Sequence, residues 1–171
     1  MIIPNLAALT DRARFGLTGV ALALLVAGCG QQAAETETET AAAEAPPIVK
    51  ERQEGYKALG SSFKLINDQL KSGAPDMTQI APAADRMHAL AQQIPNWFPA
   101  GSGPQDGVET DALETVWTNP EGFAAAQQRL VETTAELQQL AAAGDAAALQ
   151  VHVKVVGASC GGCHDDFRVE Q

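Results

Sequence analysis

The sequence predicts an all-α protein, folded as an antiparallel four-helix bundle. Three observations carry this. Apolar residues recur at spacings of three and four through four separate stretches, the period of an amphipathic helix. No stretch holds the alternating period of a strand. The Gly, Pro and capping residues between the stretches mark short connections, which let neighbouring helices run antiparallel.

The first helix is expected over Ile48 to Leu70, where Val49, Arg52, Tyr56, Leu59, Phe63, Ile66 and Leu70 share one face. Gly73-Ala74-Pro75 ends it. Asp76 is the N-cap of a second helix running toward Gln93, with Ile80, Met87, Leu90, Ala91 and Ile94 apolar. Pro82 lies inside this helix and should kink it or delay its start. Pro and Gly then crowd residues 95–107, a loop that returns the chain. Leu113, Val116 and Trp117 suggest a short helical piece. Asn119-Pro120 has the form of N-cap and N1 of a third helix, with Phe123, Ala126, Leu130, Val131, Leu137 and Leu140 apolar. Ala141-Ala142-Ala143-Gly144 closes it, and Asp145 caps a fourth whose face runs Leu149, Val153, Val156, Cys160, Cys163, His164 and Phe167. Residues 48–171 are enough to bury a core. Aromatic residues make up only 5% of the 171, so the core has room for a large apolar filler.

Cys160-Gly161-Gly162-Cys163-His164 names that filler. C-x-x-C-H is the attachment signal for haem c: two thiols add across the two vinyl groups, and the histidine offers an axial nitrogen to iron. Residues three and four apart on a helix share a face, so Cys160, Cys163 and His164 address one porphyrin. Gly161 and Gly162, poor helix formers, put no side chain against the haem edge. Other uses of the pair fit less well. A redox C-x-x-C sits at a helix N-terminus within a βαβ pattern, whereas this one follows a long helical run. Zinc needs further ligands, and no second C-x-x-C or H-x₃₋₅-H pair is present. A Cys160–Cys163 disulfide would leave the adjacent histidine unexplained. One haem c per chain is expected.

The beginning of the chain points to export. Arg12 and Arg14 precede an apolar run from Phe15 to Ala27, too short to be a transmembrane helix and flanked as a signal peptide is. Leu25-Val26-Ala27-Gly28-Cys29 resembles a bacterial lipoprotein lipobox. That resemblance implies cleavage of residues 1–28 and lipidation of Cys29, which accounts for the third cysteine; the plainer reading is ordinary cleavage that leaves Cys29 a free thiol. Several acyl chains would make a durable anchor, on the periplasmic side of a bacterial membrane. Residues 29–47, with four glutamates among Ala, Thr and Gln, read as an acidic low-complexity tether extended by its own charge. Residues 48–171 are the folded domain. Loss of Asp11, Arg12 and Arg14 with the signal takes the formal charge from −10 to −11. Such a chain will not bind nucleic acid through phosphate contacts, but is suited to positively charged redox partners.

The domain resembles the class II cytochromes c, in particular the cytochrome c′ family. The residues that carry this are Arg52-Gln53 in the first helix, Trp97-Phe98-Pro99 with Gly101 and Gly103 in the loop, and Trp117 before the third helix. Phe123 within that helix, and Gly157-Ala158-Ser159-Cys160 through Phe167-Arg168, complete the set; the ending C-x-x-C-H-D-x-F-R is its most specific part. The resemblance implies that His164 is the one strong protein ligand of the haem iron. It further implies that Tyr56, four residues after Arg52, caps the opposite face, that Arg52 approaches a haem propionate, that Trp117 packs on the haem edge and that Arg168 lines the proximal pocket. Homodimers through the first two helices also belong to the family. On the residues alone, Tyr56 is an aromatic at the core edge, Arg52 a solvated helix charge, Trp117 a bundle tryptophan and Arg168 a surface cation favoured near a helix C-terminus.

Low-spin relatives carry a first-helix methionine on the iron, and this chain has none between Met1 and Met77. A neutral phenol, with a pKa of about 10, is a weak ligand, so a five-coordinate haem with a crowded, apolar distal side is expected. His152 is twelve residues from His164, about 18 Å along the same helix, and is excluded as a second ligand; His88, Met77 and Met87 remain formal candidates. The expected function is a periplasmic electron-transfer cytochrome able to bind NO and CO. The alternatives are a module primarily for nitric oxide, or a low-spin carrier with a Met sixth ligand. A peroxidase would want a distal His and Arg pair, and the first helix has Arg52 but no histidine, so the protein is not expected to be an enzyme.

Overall fold

The computed structural model describes residues 46–170; the signal-peptide and lipidation assignments, and all of the tether but residues 46 and 47, fall outside it, and α1 begins at Pro47, one residue into the expected tether. Four long helices make the domain: α1 (Pro47–Lys71), α2 (Met77–Gln93), α3 (Pro120–Ala143) and α4 (Ala146–Phe167). A single helical turn, Thr115–Thr118, precedes α3, and two 3₁₀ turns, Ile94–Trp97 and Pro104–Asp106, lie in the long connection after α2. Among the described residues no helix is long and apolar enough to cross a membrane.

The helix starts follow from the caps. Asp76 accepts from the Thr78 amide at 2.9 Å, and its second oxygen accepts from the Gln79 amide side chain at 2.9 Å. Asn119 accepts from the Gly122 amide at 3.1 Å, and Asp145 from the Ala148 amide at 2.9 Å. Gly144 closes α3 in the left-handed conformation at φ 69°, which glycine adopts at no steric cost. The expected effect of Pro82 is corrected in one respect: α2 is not delayed, but begins at Met77 and runs through Pro82. The Asp76 cap fixes the first turn before the proline is reached.

Cross-helix bonds set the order. Gln127 donates to the Ala91 carbonyl and Gln138 to Asp85, so α2 and α3 run antiparallel. Gln150 on α4 donates to the Leu70 carbonyl at 3.3 Å, and Gly157 faces Phe63, so α1 and α4 are antiparallel too. Ile66, Ile80, Met87, Leu137, Leu149 and Val156, drawn from all four helices, fill the centre with no more than 1% of their surface exposed. A second cluster of Ala112, Val116, Ala126 and Phe167 lies at the far end of α4. Cys160 packs on the first cluster and Cys163 on the second.

The last turn of α4 is tied down by the loop. The last carbonyls of a helix lack intrahelical partners. Here Leu113 donates its amide to the Phe167 carbonyl at 3.0 Å, and the Thr115 hydroxyl donates to the Asp166 carbonyl at 2.6 Å. Ala112 and Arg168 form an antiparallel bridge beyond them.

Candidate haem site

The gap between α1 and α4 holds a cavity of about 600 Å³, within the range of sites that enclose a large organic ligand. Cys160, Cys163 and His164 line it from α4, and Tyr56, Leu59, Gly60 and Phe63 from α1. Both cysteines are half-buried free thiols, and His164 is exposed toward solvent. Burial pushes both thiols above their ordinary pKa, with Cys160 adding to the effect at Cys163. That is the reverse of a redox C-x-x-C, whose reactive thiol is lowered by a helix N-terminus. Among the described residues no three His, Cys, Asp or Glu side chains converge on a metal site. The donor set instead fits haem c: two thiols one turn apart, an imidazole on the same face, and a largely apolar chamber beside them.

Tyr56 stands across the cavity from His164. The register that pairs Leu70 with Gln150 and Phe63 with Gly157 advances seven residues on each strand of the pair, and a further seven bring Tyr56 opposite His164. Burial raises the phenol pKa well above its usual range; Cys163 pushes the same way and Arg52 opposes. Cys163 ceases to contribute once its sulfur is a thioether, so burial is what holds the phenol pKa up. The ring is held edge-on to Trp97 at 5.2 Å between centroids. From there a chain of aromatic contacts runs Tyr56–Phe98, Phe98–Phe123 and Phe123–Phe167, at 6.3, 5.0 and 5.3 Å, around the chamber.

Arg52 lines the cavity but is 4% exposed, so the solvated-charge alternative does not describe it. Its Nε donates to the Trp97 carbonyl at 3.0 Å, Nη1 to the Thr110 hydroxyl at 2.9 Å, and Nη2 to the Ser102 carbonyl and hydroxyl at 3.1 and 2.8 Å. The guanidinium carries five donors, so one Nη1 hydrogen is left for an anionic group in the chamber. Arg168 also lines the cavity. It does so from extended backbone, as the residue that caps the end of α4. Its cation lowers the His164 pKa further below the value that burial alone sets, against the pull of Asp165.

Trp117, expected on the haem edge, stands one layer behind Phe98: its indole N–H donates to the Pro99 carbonyl at 3.1 Å and its ring packs edge-on to Phe98 at 5.8 Å. Phe98 takes the place against the chamber, with Trp117 behind it. Of the other ligand candidates, Met87 lines the cavity from within the core and Met77 does not. His88 is bonded to Thr134 and Gln92 on the α2–α3 side. His152 is buried against the Thr133 carbonyl at 2.7 Å. Sequence reasoning missed Ser102 and Thr110 as the partners of Arg52. Both sit in an aperiodic loop, whereas Met87, kept as a formal ligand candidate, does line the cavity.

A bundle that presents C-x-x-C-H near the end of its fourth helix, over a chamber closed by an aromatic belt, is a c-type haem protein of the C-terminal-attachment class. The cytochrome C′ family model matches residues 47–168, and the chain belongs to that family. It is 30% identical over 121 residues to cytochrome c′ of Pararhodospirillum photometricum, across 70% of this chain and 94% of that one. It is 40% identical over 106 residues to cytochrome c-554 of Cereibacter sphaeroides, across 60% and 68%. Among solved structures it resembles a nitric oxide complex of a variant cytochrome c prime from Alcaligenes xylosoxidans, with a TM-score of 0.66 at 29% identity over 72% of this chain and 94% of that one. A cytochrome c′ described by its ligand-controlled dimer dissociation matches at TM-score 0.66 and 26% identity, over 72% and 95%. The protein is a c-type cytochrome with covalent haem c.

Proposed function

We propose that this cytochrome carries single electrons on the periplasmic side of a bacterial membrane, held there by lipidated Cys29, and that its haem also takes nitric oxide or carbon monoxide. Bound haem supplies one-electron exchange at iron and a coordination position for a neutral diatomic molecule. The residues set what reaches it. His164 offers one nitrogen from α4, and the side chain opposite is Tyr56, a protonated phenol and therefore a poor ligand, whose ionisation burial makes harder still. This pairing of His164 with Tyr56 is the observation that carries the reading. Leu59, Phe63 and the aromatic belt make the approach narrow and apolar, which refuses anions and bulky ligands. The Alcaligenes xylosoxidans relative in its nitric oxide complex supports the same direction, and the relative with ligand-controlled dimer dissociation supports a homodimer.

An absorption spectrum of the reduced protein, with and without carbon monoxide, tests this. A five-coordinate spectrum that shifts with gas is expected, with faster binding in Tyr56→Ala. A low-spin spectrum with no gas response would overturn it in favour of a second reading, in which Met87, the one methionine lining the chamber among the described residues, is the sixth ligand. Loss of that low-spin form in Met87→Leu would identify the ligand. Palmitate labelling that disappears in Cys29→Ser tests the anchor.

A further inference from the structure

The chain's charge is −10, yet its cations are not scattered. It holds five lysines: Lys50, Lys57, Lys64 and Lys71 on α1, and Lys154 on α4. The α1 lysines are seven residues apart. Seven residues fall about 20° short of two full helical turns, so the four form one slightly drifting stripe along α1. All five are exposed. The stripe runs on the α4 side of α1, because Lys57 itself lines the mouth of the haem cavity and its neighbours on that side, Gln53, Tyr56 and Gly60, line it too. Lys154 joins from across the seam, since the register that pairs Leu70 with Gln150 and Phe63 with Gly157 sets it level with Ile66, between Lys64 and Lys71.

Acidic groups are not absent from this face. Asp68 lies in the stripe and pairs with Lys64, Glu51 and Glu54 lie on α1, Asp111 lines the cavity, and Asp165 and Asp166 follow the haem motif. But α2 and α3 carry no lysine, and there Asp85, Glu121, Glu132 and Glu136 outnumber Arg86 and Arg129. The lysines are therefore confined to α1 and the adjoining stretch of α4, and Lys57 among them reaches the cavity.

We infer that the lysine stripe of α1, with Lys154, is the docking face for an acidic redox protein, one that presents a carboxylate cluster beside its own electron donor or acceptor group. This rests on the electron-carrier reading above. Charge complementarity favours such a partner over the basic ones that the net charge alone suggests. The Debye length is about 10 Å at 0.1 M salt, so a partner laid along the α1 stripe senses its lysines more than the carboxylates of α2 and α3. Electrostatic steering of this kind raises association rates by roughly 10- to 1,000-fold at low salt.

The test uses small anions in place of the partner. Ferricyanide accepts one electron from the ferrous protein, which becomes ferric as ferrocyanide forms. Its rate constant should fall about tenfold or more between about 0.01 M and about 1 M salt, as the Debye length shrinks from about 30 to about 3 Å. In Lys64→Gln/Lys71→Gln/Lys154→Gln the fall should vanish or reverse; Arg86→Gln on α2 should leave it unchanged. Independently of electron transfer, redox-inert hexacyanochromate should broaden backbone NMR signals around Lys57, Lys64, Lys71 and Lys154.

A rate that rises with salt in the unmodified protein, as repulsion from a net negative surface requires, would overturn the proposal, and so would broadening centred elsewhere. If the protein exchanges no electron with ferricyanide at all, the carrier reading itself fails, which is a different result. Salt-sensitive binding of the Cys29→Ser chain to phosphatidylglycerol vesicles, without the anion effect on rate, would assign the stripe to lipid headgroups and likewise overturn it.

Discussion

The guanidinium of Arg52 sits over the ring of Phe98, 4.2 Å from its centroid, while its Nε–H donates to the backbone oxygen of Trp97 next door. One α1 side chain thus grips both ends of a dipeptide that closes the haem chamber. Burial lowers the Arg52 pKa, and the nearby Tyr56 offsets part of that; the group nonetheless stays charged, because arginine is not deprotonated in proteins. A buried cation is tolerated when its donors are satisfied and its plane is stacked. Arg52→Ala leaves the Trp97 and Ser102 carbonyls without this partner and should cost roughly 2–4 kcal/mol in chemical denaturation of the holoprotein. Arg52→Lys should recover little of it, since an ammonium cannot span Trp97, Ser102 and Thr110 together. Full rescue by lysine would show that charge alone matters at this position.

Gly55 is where α1 makes room for Trp97. A Cβ built on it would lie 2.3 Å from the indole ring atoms, and Trp97 is 2% exposed with nowhere to retreat. Alanine normally strengthens a helix interior relative to glycine by about 0.5–1 kcal/mol. Here overpacking should win, and Gly55→Ala should destabilise by about 1–3 kcal/mol. Trp97→Phe shortens the ring, so the double variant should be more stable than the sum of the two single changes predicts. Simple additivity in that cycle would mean the two residues do not press on each other.

On the C-x-x-C-H reading each cysteine would supply its own bond to the haem: the thiol hydrogen and sulfur would add across one vinyl group, with no oxidant needed. Either bond alone should resist extraction with acidified organic solvent. Cys160→Ala and Cys163→Ala should each keep haem on the chain after denaturation, with a shifted haemochrome band for the remaining vinyl group. The double variant should release all of it. Haem that stays bound to the double variant would contradict covalent attachment at these two positions.

How much of this was legible beforehand depends on what kind of signal each residue leaves. The four helices and their caps were readable because Asp76, Asn119 and Asp145 announce helix starts and the apolar faces repeat at helical spacing. Cys160, Cys163 and His164 were readable because their chemistry is local in sequence. The partners of Arg52 were not. Ser102 and Thr110 lie 50 and 58 residues away in aperiodic loop, and no local pattern encodes such contacts. The layering of Trp117 behind Phe98 was hidden for a related reason. The position of Trp117 before α3 is right, but which of Phe98 and Trp117 faces the chamber is decided by packing of the loop on Arg52. Arg168 reaches the chamber by a route the helical period could not supply, because α4 stops at Phe167 and the bridge to Ala112 turns the chain.

Tyr56 is the one tyrosine of the chain, so its ionisation can be followed without overlap from another phenol. Burial, chiefly, raises its pKa in the folded protein, whereas in the unfolded chain it titrates near 10. The folded state therefore holds this proton more tightly. Its contribution is fully present below about pH 10 and is lost as pH rises toward the folded value, since the unfolded chain ionises first and gains by it. The slope from one such group is at most about 1.4 kcal/mol per pH unit. Lysines and other groups titrate in the same range, so the comparison that isolates Tyr56 is Tyr56→Phe, whose ring packs alike but has no proton to lose. Denaturation midpoints of the holoprotein between about pH 9 and about pH 12 should fall more steeply for the native chain than for Tyr56→Phe, and the phenolate absorption of the folded chain should develop only well above its ordinary range. Parallel curves for the two proteins, with the phenol titrating near its usual pKa, would place Tyr56 in contact with solvent rather than across the chamber from His164.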